Sequence, residues 1–367
     1  MYSLCASDKI INNQKLSACF TFKGLSKIKV DKLEAGDIIA ISGIDNIVIG
    51  DTLSDNENPK PLPRIEIDKP TVSMYFQVNN SPLAGKEGKY LTSRHLRDRL
   101  KKETMVNVSL EIISTNSPDI FEVCGRGELQ MAVLIETMRR EGYEFMVSKP
   151  VVITKEEEGK KMEPVEHVYL DLPEQNVGTI TEKLSERKGI MVNLQNNGSG
   201  RVMLEFKIPA RGLIGFRSQY LTDTKGAGIM NTLFDSYENW FGPIPKRSSG
   251  VLVGDRGGAV TSFAYLGMAD RGILFTSVGT EVYEGMIIGE RNRSGDLDVN
   301  ITKEKKLTNM RASSSDSTVT LRPPKIMSLD RCIEFIDDDE LIEITPKSIR
   351  MRKRELNKNK REKEYKS

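Results

Sequence analysis

The order of helices and strands predicted for residues 71–237 constrains the fold more than any other feature. Its clearest element is a helix at Glu128–Glu141. The apolar residues of this helix recur at the spacing of one buried face: Met131, Leu134, Ile135 and Met138. Gly142 ends the helix, and an alternating strand follows at Tyr143–Ile153. This segment therefore predicts a helix that packs on a sheet.

That helix belongs to a larger pattern, which occurs twice. The first copy predicts strand, helix, strand, strand, helix and strand at Thr71–Val78, Thr92–Glu103, Val106–Ser114, Ile120–Cys124, Glu128–Glu141 and Tyr143–Ile153. The second copy predicts the same order at Val165–Leu172, Val177–Leu184, Ile190–Leu194, Val202–Ile208, Leu213–Thr224 and Ile229–Phe234. A βαββαβ order is typical of ferredoxin-like domains. We therefore expect two small sheets, each backed by two helices.

The regions on either side of these two copies are predicted to be mainly β. Four short strands with glycine turns between them favour part of a β-barrel: Ala18–Phe22, Lys27–Val30, Asp37–Ile41 and Ile47–Ile49. Residues 54–70 hold four prolines and predict a linker.

Downstream of the second copy, residues 238–346 change character. Short β-rich runs are predicted at Ser262–Met268, Ile273–Ser277 and Gly285–Ile288, with a long excursion around Lys303–Ser317 and one helix at Ser328–Ile336. The predicted class is α+β multidomain, with a partial β-barrel, two ferredoxin-like domains and a mainly β C-terminal domain.

Composition limits the classes of function. No apolar run approaches the roughly 18 residues of a membrane span, and no signal-like amino terminus is visible. We therefore expect a cytoplasmic protein without membrane contact. The four cysteines form no CxxC pair, which favours reduced structural thiols over disulfides or zinc. The two histidines, His95 and His167, lack a ligand-like partner.

Motifs for nucleotide binding and nucleophilic catalysis are absent from the sequence. It contains no GxxxxGK[ST] phosphate loop, no GxGxxG and no GxSxG. The chain is therefore predicted to have no active site, no cofactor and no metal of its own.

Charge is unevenly distributed along the chain. The last 21 residues hold ten basic residues and three glutamates, a formal charge of +7, against +2 for the whole chain. This tail is either a solvated end or a polyanion-binding segment. The excursion around Lys303–Ser317 mixes basic, hydroxyl and amide side chains, all of which donate to phosphate oxygens. Further arginines lie at glycine turns, where ordinary surface charge is the alternative to RNA contact: Arg126, Arg211, Arg217, Arg247, Arg256 and Arg271.

Several longer motifs resemble one family. They are VNNSPLAGKEGKYLTSRHLRDRL (78–100), CGRGELQM (124–131), LIETMRREGYEFMVSKPVV (134–152), RGLIGFRSQYLT (211–222), KEKKLTNMRAS (303–313) and DDELIEITPKSIRMRKRELNK (338–358). In these runs the chain resembles the carboxyl-terminal portion of BipA/TypA, ribosome-associated translational GTPases related to elongation factor G. Gln130 departs from the histidine usual at that position.

The resemblance implies a domain plan. Residues 1–62 would be the back half of the translation-factor β-barrel domain II. Residues 68–155 would be the ferredoxin-like domain III, and residues 163–240 the elongation-factor-G-type domain V. Residues 241–350 would form the family-specific C-terminal domain, and 351–367 a basic tail. The family's GTPase domain has no counterpart in these residues, so GTP and Mg²⁺ are implied only for that domain, and the chain alone is predicted to be non-catalytic.

The resemblance also implies partners: the ribosome through both subunits, ribosomal RNA and A-site tRNA, bound by a monomer in the bacterial cytoplasm or an organelle stroma. The function implied by the resemblance is ribosome assembly or stress-adapted translation. The implied RNA contacts are Lys303, Lys305, Lys306, Asn309 and Arg311 in the loop, and Arg350, Arg352, Lys353 and Arg354 in the tail. The alternative is a protein-interaction scaffold without a direct RNA role, suggested by the acidic run Asp337–Glu340.

Overall fold

The computed structural model describes residues 2–6, 9–32, 34–44, 47–63, 69–196, 198–245, 247–305 and 321–364. The protein is a mixed α/β chain with several sheets. The described residues fall into two compact units. One comprises the chain up to residue 68 together with 101–109, and the other comprises the remainder.

The amino-terminal unit is built from six strands in its described part: β1 (Tyr2–Cys5), β2 (Ile10–Gln14), β3 (Ala18–Lys23), β4 (Ser26–Val30), β5 (Ile39–Ser42) and β6 (Thr52–Asp55). They pair in the orders β2-β1-β6 and β4-β3-β5, so these residues form two separate sheets and no closed barrel. The predicted strand Ile47–Ile49 is wrong. Its place is taken by a turn, in which the Asp51 carboxylate accepts the Val48 amide at 2.8 Å.

The first βαββαβ copy is present in the structure. Its elements are β7 (Val72–Val78), α1 (Ser93–Val106), β8 (Glu111–Ser114), β9 (Ile120–Gly125), α2 (Glu128–Arg140), β10 (Phe145–Ser148) and the short β11 (Val151–Val152). Strands pair in the order β10-β7-β9-β8, and β11 also pairs with β7. The last predicted strand is split at Lys149-Pro150, because proline has no amide to donate to a ladder. All four predicted apolar positions of α2 are buried.

The second copy has the same order of strands and helices as the first, and most of its strands are longer. It comprises β12 (Lys155–Glu157), β13 (Lys160–Pro173), a 3₁₀ turn (Glu174–Asn176), α3 (Val177–Glu186), β14 (Ile190–Asn196), β15 (Arg201–Pro209), α4 (Ala210–Leu213), α5 (Phe216–Asp223) and β16 (Ile229–Asn239). Strands pair in the order β16-β13-β15-β14, with β12 on β13. The predicted single helix from Leu213 is interrupted because Gly215 adopts φ +75°.

The remaining elements are β17 (Val251–Gly254), β18 (Gly258–Ala259), α6 (Ser262–Met268), β19 (Gly272–Leu274), β20 (Glu281–Val282), β21 (Met286–Arg291), β22 (Leu297–Val299), α7 (Leu329–Phe335), β23 (Glu340–Ile344), β24 (Ile349–Lys353) and α8 (Lys358–Glu364). The β assignment of Ser262–Met268 is wrong. Thr261 caps a helix there by accepting the Ala264 amide on its hydroxyl.

One sheet runs through two of the predicted domains. Strand β23 pairs antiparallel with β10, so that Phe145 lies opposite Ile344 and Val147 opposite Ile342. These four side chains are at most 1% exposed and share one core with α2 and α7. The result is an eleven-stranded sheet in the order β22-β17-β21-β24-β23-β10-β7-β9-β8, with β11 and β19 alongside. The first βαββαβ copy and the C-terminal region therefore form one body.

Candidate nucleic-acid interface

The predicted basic loop begins at a well-anchored point of the C-terminal region. Ile301, just before it, is 1% exposed. The Thr261 amide donates to the Ile301 carbonyl at 3.2 Å, and the Thr261 hydroxyl donates to the Lys303 carbonyl at 2.6 Å. The same hydroxyl caps α6, so the start of the loop is held at the end of a helix. Lys303 and Lys305 leave this point with exposed side chains.

The other three loop residues predicted to contact RNA lie outside the described residues. They are Lys306, Asn309 and Arg311.

A third exposed cation lies on the segment beside the loop. The Asp255 amide donates to the Val299 carbonyl at 3.1 Å, so residues 255–261 run next to the strand that leads into the loop. The Arg256 side chain is 61% exposed, and its ion pair is with its neighbour Asp255, at 3.0 Å. We call Arg256, Lys303 and Lys305 the basic rim. Sequence reasoning gave Arg256 no more weight than five other arginines at glycine turns, because only the fold brings it beside the loop.

The tail cations have a different environment. The Arg350 guanidinium contacts two carboxylates, Glu87 at 2.6 Å and Glu343 at 3.2 Å. Glu87 lies in the loop between β7 and α1. Burial alone would raise the pKa of Glu87, but hydrogen bonds from Thr345 and Arg350 outweigh it and hold the pKa below its ordinary value. Arg350 thus joins β24 to the first βαββαβ copy.

Arg352 and Lys353 are each 2% exposed. Arg352 donates to the Asn80 side chain at 2.7 Å and to the Lys353 carbonyl at 3.0 Å. Burial lowers the pKa of Arg352. Burial would also lower the pKa of Lys353, but Glu340 and Asp296 outweigh it and hold the pKa above its ordinary value. Both cations therefore bind other groups of the same protein.

Arg354 is the one predicted tail residue with an exposed side chain, and it donates to the Asp338 carbonyl at 2.7 Å. Beyond it, Arg361 is 6% exposed and its guanidinium contacts Asp298. Arg352, Lys353 and Arg361 are thus taken up within the protein, so the tail presents fewer positive charges to a partner than its formal charge of +7.

The acidic run is neutralised in the same region. Glu340 forms ion pairs with Arg247 and with Lys353, each at 2.9 Å. Asp339 forms an ion pair with Lys353 at 2.9 Å, and Asp337 forms one with Lys149 at 3.4 Å. The acidic run is therefore compensated by Lys353 of the tail together with Arg247 and Lys149, which leaves little net charge there for a basic protein partner.

No helix in the described ranges is long and apolar enough to cross a membrane. Within the same ranges, no group of three histidine, cysteine, aspartate or glutamate side chains is arranged to hold a metal ion.

Comparison with known proteins adds the family. Residues 249–358 match the family described as TypA/BipA C-terminal domain, and residues 160–248 match Elongation factor G C-terminus. The chain is 47% identical over 98% of its length to the large ribosomal subunit assembly factor BipA of Bacillus subtilis, and covers 59% of that protein. The protein of the same name from Escherichia coli K12 is 50% identical over 95% of the chain, with 58% of its own length covered.

A third relative of that name, from Synechocystis, is 47% identical over 96% of the chain, which covers 59% of it. Among solved structures, a protein from Thermus thermophilus aligns with 65% of this chain and 51% of its own, at a TM-score of 0.38 and 13% identity. That likeness is too low to carry an argument. The sequence relatives and the C-terminal match agree, and the chain belongs to the TypA/BipA family.

Proposed function

We propose that the chain is the ribosome-binding portion of a TypA/BipA-type translational GTPase, and that it contacts ribosomal RNA and A-site tRNA. The observation that carries this proposal is the basic rim, where Lys303 and Lys305 are exposed at an anchored loop base within the region that matches the family's C-terminal domain. Exposed lysine and arginine side chains attract phosphates without reading sequence. The relatives are named large ribosomal subunit assembly factors, which supports a role in ribosome assembly. A role in stress-adapted translation remains a prediction from the family resemblance.

The finer domain plan is part of the proposal. The strand orders β10-β7-β9-β8 and β16-β13-β15-β14 support ferredoxin-like domains III and V. The family resemblance implies GTP and Mg²⁺ only for a GTPase domain that has no counterpart in these residues, and the chain spans 58–59% of the length of these relatives. We propose that this chain binds both ribosomal subunits as a cytoplasmic monomer and does not itself hydrolyse GTP.

Among the predicted RNA contacts, the proposal rests on the exposed ones. Lys303 and Lys305 carry it, Arg256 joins them, and Arg354 is a peripheral contact. Lys306, Asn309 and Arg311 remain predictions. Arg350, Arg352 and Lys353 are proposed to support RNA binding indirectly, by holding β24 in place, because their charges are taken up within the protein.

The test is cosedimentation with 70S ribosomes and with isolated large subunits over a range of salt. The double variant K303A/K305A should bind more weakly and reduce the slope of log affinity against log salt by about one per lysine removed. K101A/K102A, which removes two exposed lysines from α1, is the matched control. Unchanged binding and slope in K303A/K305A would reject the basic rim as an RNA contact.

A further inference from the structure

Three segments from different parts of the fold meet around one carboxylate. Glu128 is the first residue of α2 in the first βαββαβ copy. Its Oε2 accepts the backbone amide of Gly215, from the turn between α4 and α5 in the second copy, at 2.6 Å. The third segment is α7, which packs on α2 in the shared core. Glu128 therefore joins the second copy to the body that contains α2 and α7.

The turn at Gly215 does not accommodate a larger residue at this position. Gly215 has φ +75°, and a Cβ built there would lie closer than 3.0 Å to the side chain of Glu334 on α7. Glu334 therefore packs directly against the turn at Gly215, whose amide donates a hydrogen bond to Glu128. Two carboxylates from two helices border the same glycine.

The charged groups that face Glu128 come from every neighbouring element. Asp330 and Glu334 lie on α7, Arg187 follows α3, and Arg217 lies on α5. Arg187 donates to the carbonyls of Gly212 and Ile214, both at 3.0 Å, and to the Gln219 side chain at 3.1 Å. Arg217 donates to the Met230 carbonyl at 3.3 Å. Within the described residues, neither arginine forms an ion pair with Glu128.

Burial is the main cause that raises the pKa of Glu128 to about 7. The Gly215 amide and Arg187 act to lower this pKa, while the negative charges of Glu334 and Asp330 act to raise it. A cavity of about 170 Å³ opens beside the carboxyl and is lined by Glu128, Leu129, Arg217, Leu221, Asp330 and Ile333. Protons can therefore exchange at the group while the segments stay in contact, but the carboxyl is hydrated less there than in open water.

We propose that Glu128 and Gly215 form a proton-dependent latch, which holds the second βαββαβ copy more tightly when the Glu128 carboxyl is protonated and loosens when it ionises. The closed latch keeps a carboxylate beside Glu334 and Asp330 with little water. Opening lets water solvate the ionised group, so ionisation favours the open form. The apolar contact of Val72 and Val152 with Ala210 persists at this junction, so the latch adjusts the seating of the second copy and does not release it. The proposal is independent of RNA binding.

Hydrogen exchange of the full chain tests the latch. Amides of the turn around Gly215 should lose protection by about tenfold between about pH 6 and about pH 8, after correction for the intrinsic pH dependence of exchange. That factor follows from linkage for a carboxyl with a pKa of about 7 when closed and about 4.5 when open. The Gly215 amide chemical shift should titrate over the same range, because its acceptor changes charge.

Two variants and one control separate the latch from general pH effects. E128Q keeps an oxygen that accepts the Gly215 amide but cannot ionise, and should abolish the pH dependence. E334Q removes a neighbouring negative charge and should move the midpoint of the Gly215 titration to lower pH. E136Q alters the same helix at a group that Arg139 and Arg140 hold at a pKa of about 2, so it should behave as wild type.

Two results would overturn the proposal. One is corrected protection that does not change with pH in the wild-type chain. The other is a Gly215 shift that titrates equally in wild type and E128Q.

Discussion

Lys353 Nζ lies 2.9 Å from Glu340 Oε1, and both side chains are closed to solvent. Asp296, at 2.6 Å, and Asp339, at 2.9 Å, complete the contacts of the same ammonium group. In the sequence, Glu340 belongs to an acidic run and Lys353 to a basic tail, which read as opposite surface features. Antiparallel pairing of β23 with β24 sets these two residues opposite each other. The cluster is therefore part of the fold.

Removing this cation should destabilise the protein. Lys353→Met would leave Glu340 with Arg247 and would remove the ammonium partner of Asp296 and Asp339. Because Arg247 still compensates Glu340, we expect a cost on the order of 1–3 kcal/mol, below the about 3–5 kcal/mol of leaving a buried charge unpaired. Urea unfolding followed by circular dichroism measures the loss. Lys360→Met, on the exposed face of α8, should change the free energy of unfolding by less than about 0.5 kcal/mol. Equal effects of the two substitutions would contradict the burial argument.

Two glycines should respond to alanine with opposite signs. A Cβ at Gly88 would lie closer than 3.0 Å to the Glu144 Cβ, and the Gly88 amide donates to the Glu144 carboxylate at 2.9 Å. Gly88→Ala should therefore destabilise the chain by about 1–3 kcal/mol. Gly178 lies in α3 with open space around it, so Gly178→Ala should stabilise by up to about 1 kcal/mol. Thermal unfolding of both variants checks the predicted signs.

Stability should depend on pH through Glu128. Its pKa rises from the ordinary value of 4.5 to about 7 on folding, so the folded state binds the proton more tightly. This contribution is fully present below about pH 4.5 and is lost as pH rises through about 7.

E128Q should therefore gain stability relative to wild type between about pH 5 and about pH 8. The size of that gain is on the order of 2–3 kcal/mol. Paired urea titrations at the two pH values measure it, with E136Q as the reference. A difference between E128Q and wild type that stays constant with pH would reject the assignment.

The segment between β16 and β17, which holds Trp240, should loosen when Arg211 is replaced. Arg211 bonds the buried Glu163 carboxylate through two nitrogens, at 2.5 and 3.0 Å, and lies 3.7 Å from the centre of the Trp240 ring. Lysine cannot reproduce the two parallel bonds, so Arg211→Lys should cost on the order of 1–3 kcal/mol.

Trp240 is the single tryptophan of the chain, and its emission should shift to the red when the ring gains water. Arg256→Lys, at an exposed pair with Asp255, should leave both stability and emission unchanged. An unaltered spectrum in Arg211→Lys would show that Trp240 is held by other contacts.

Local patterns predicted much of the architecture. The spacing of Met131, Leu134, Ile135 and Met138 identified α2, and alternation identified most strands, because a buried face repeats every 3.6 residues in a helix and every two in a strand. Most errors came from local hydrogen bonding that periodicity does not report. Thr261 caps a helix where strand was predicted, and Gly215 interrupts one predicted helix.

The sequence by itself determined the two βαββαβ copies, the family resemblance and the clusters of charge, since each depends on residues close together in the chain. Tertiary structure alone decided which of those charges reach solvent. It placed β24 between β21 and β23 inside the sheet and so buried Arg352 and Lys353, while Lys303 and Lys305 stayed exposed. The physical reason is that burial and ion pairing are set by partners distant in the chain. A cation paired with a carboxylate inside the protein adds little net charge that could attract RNA.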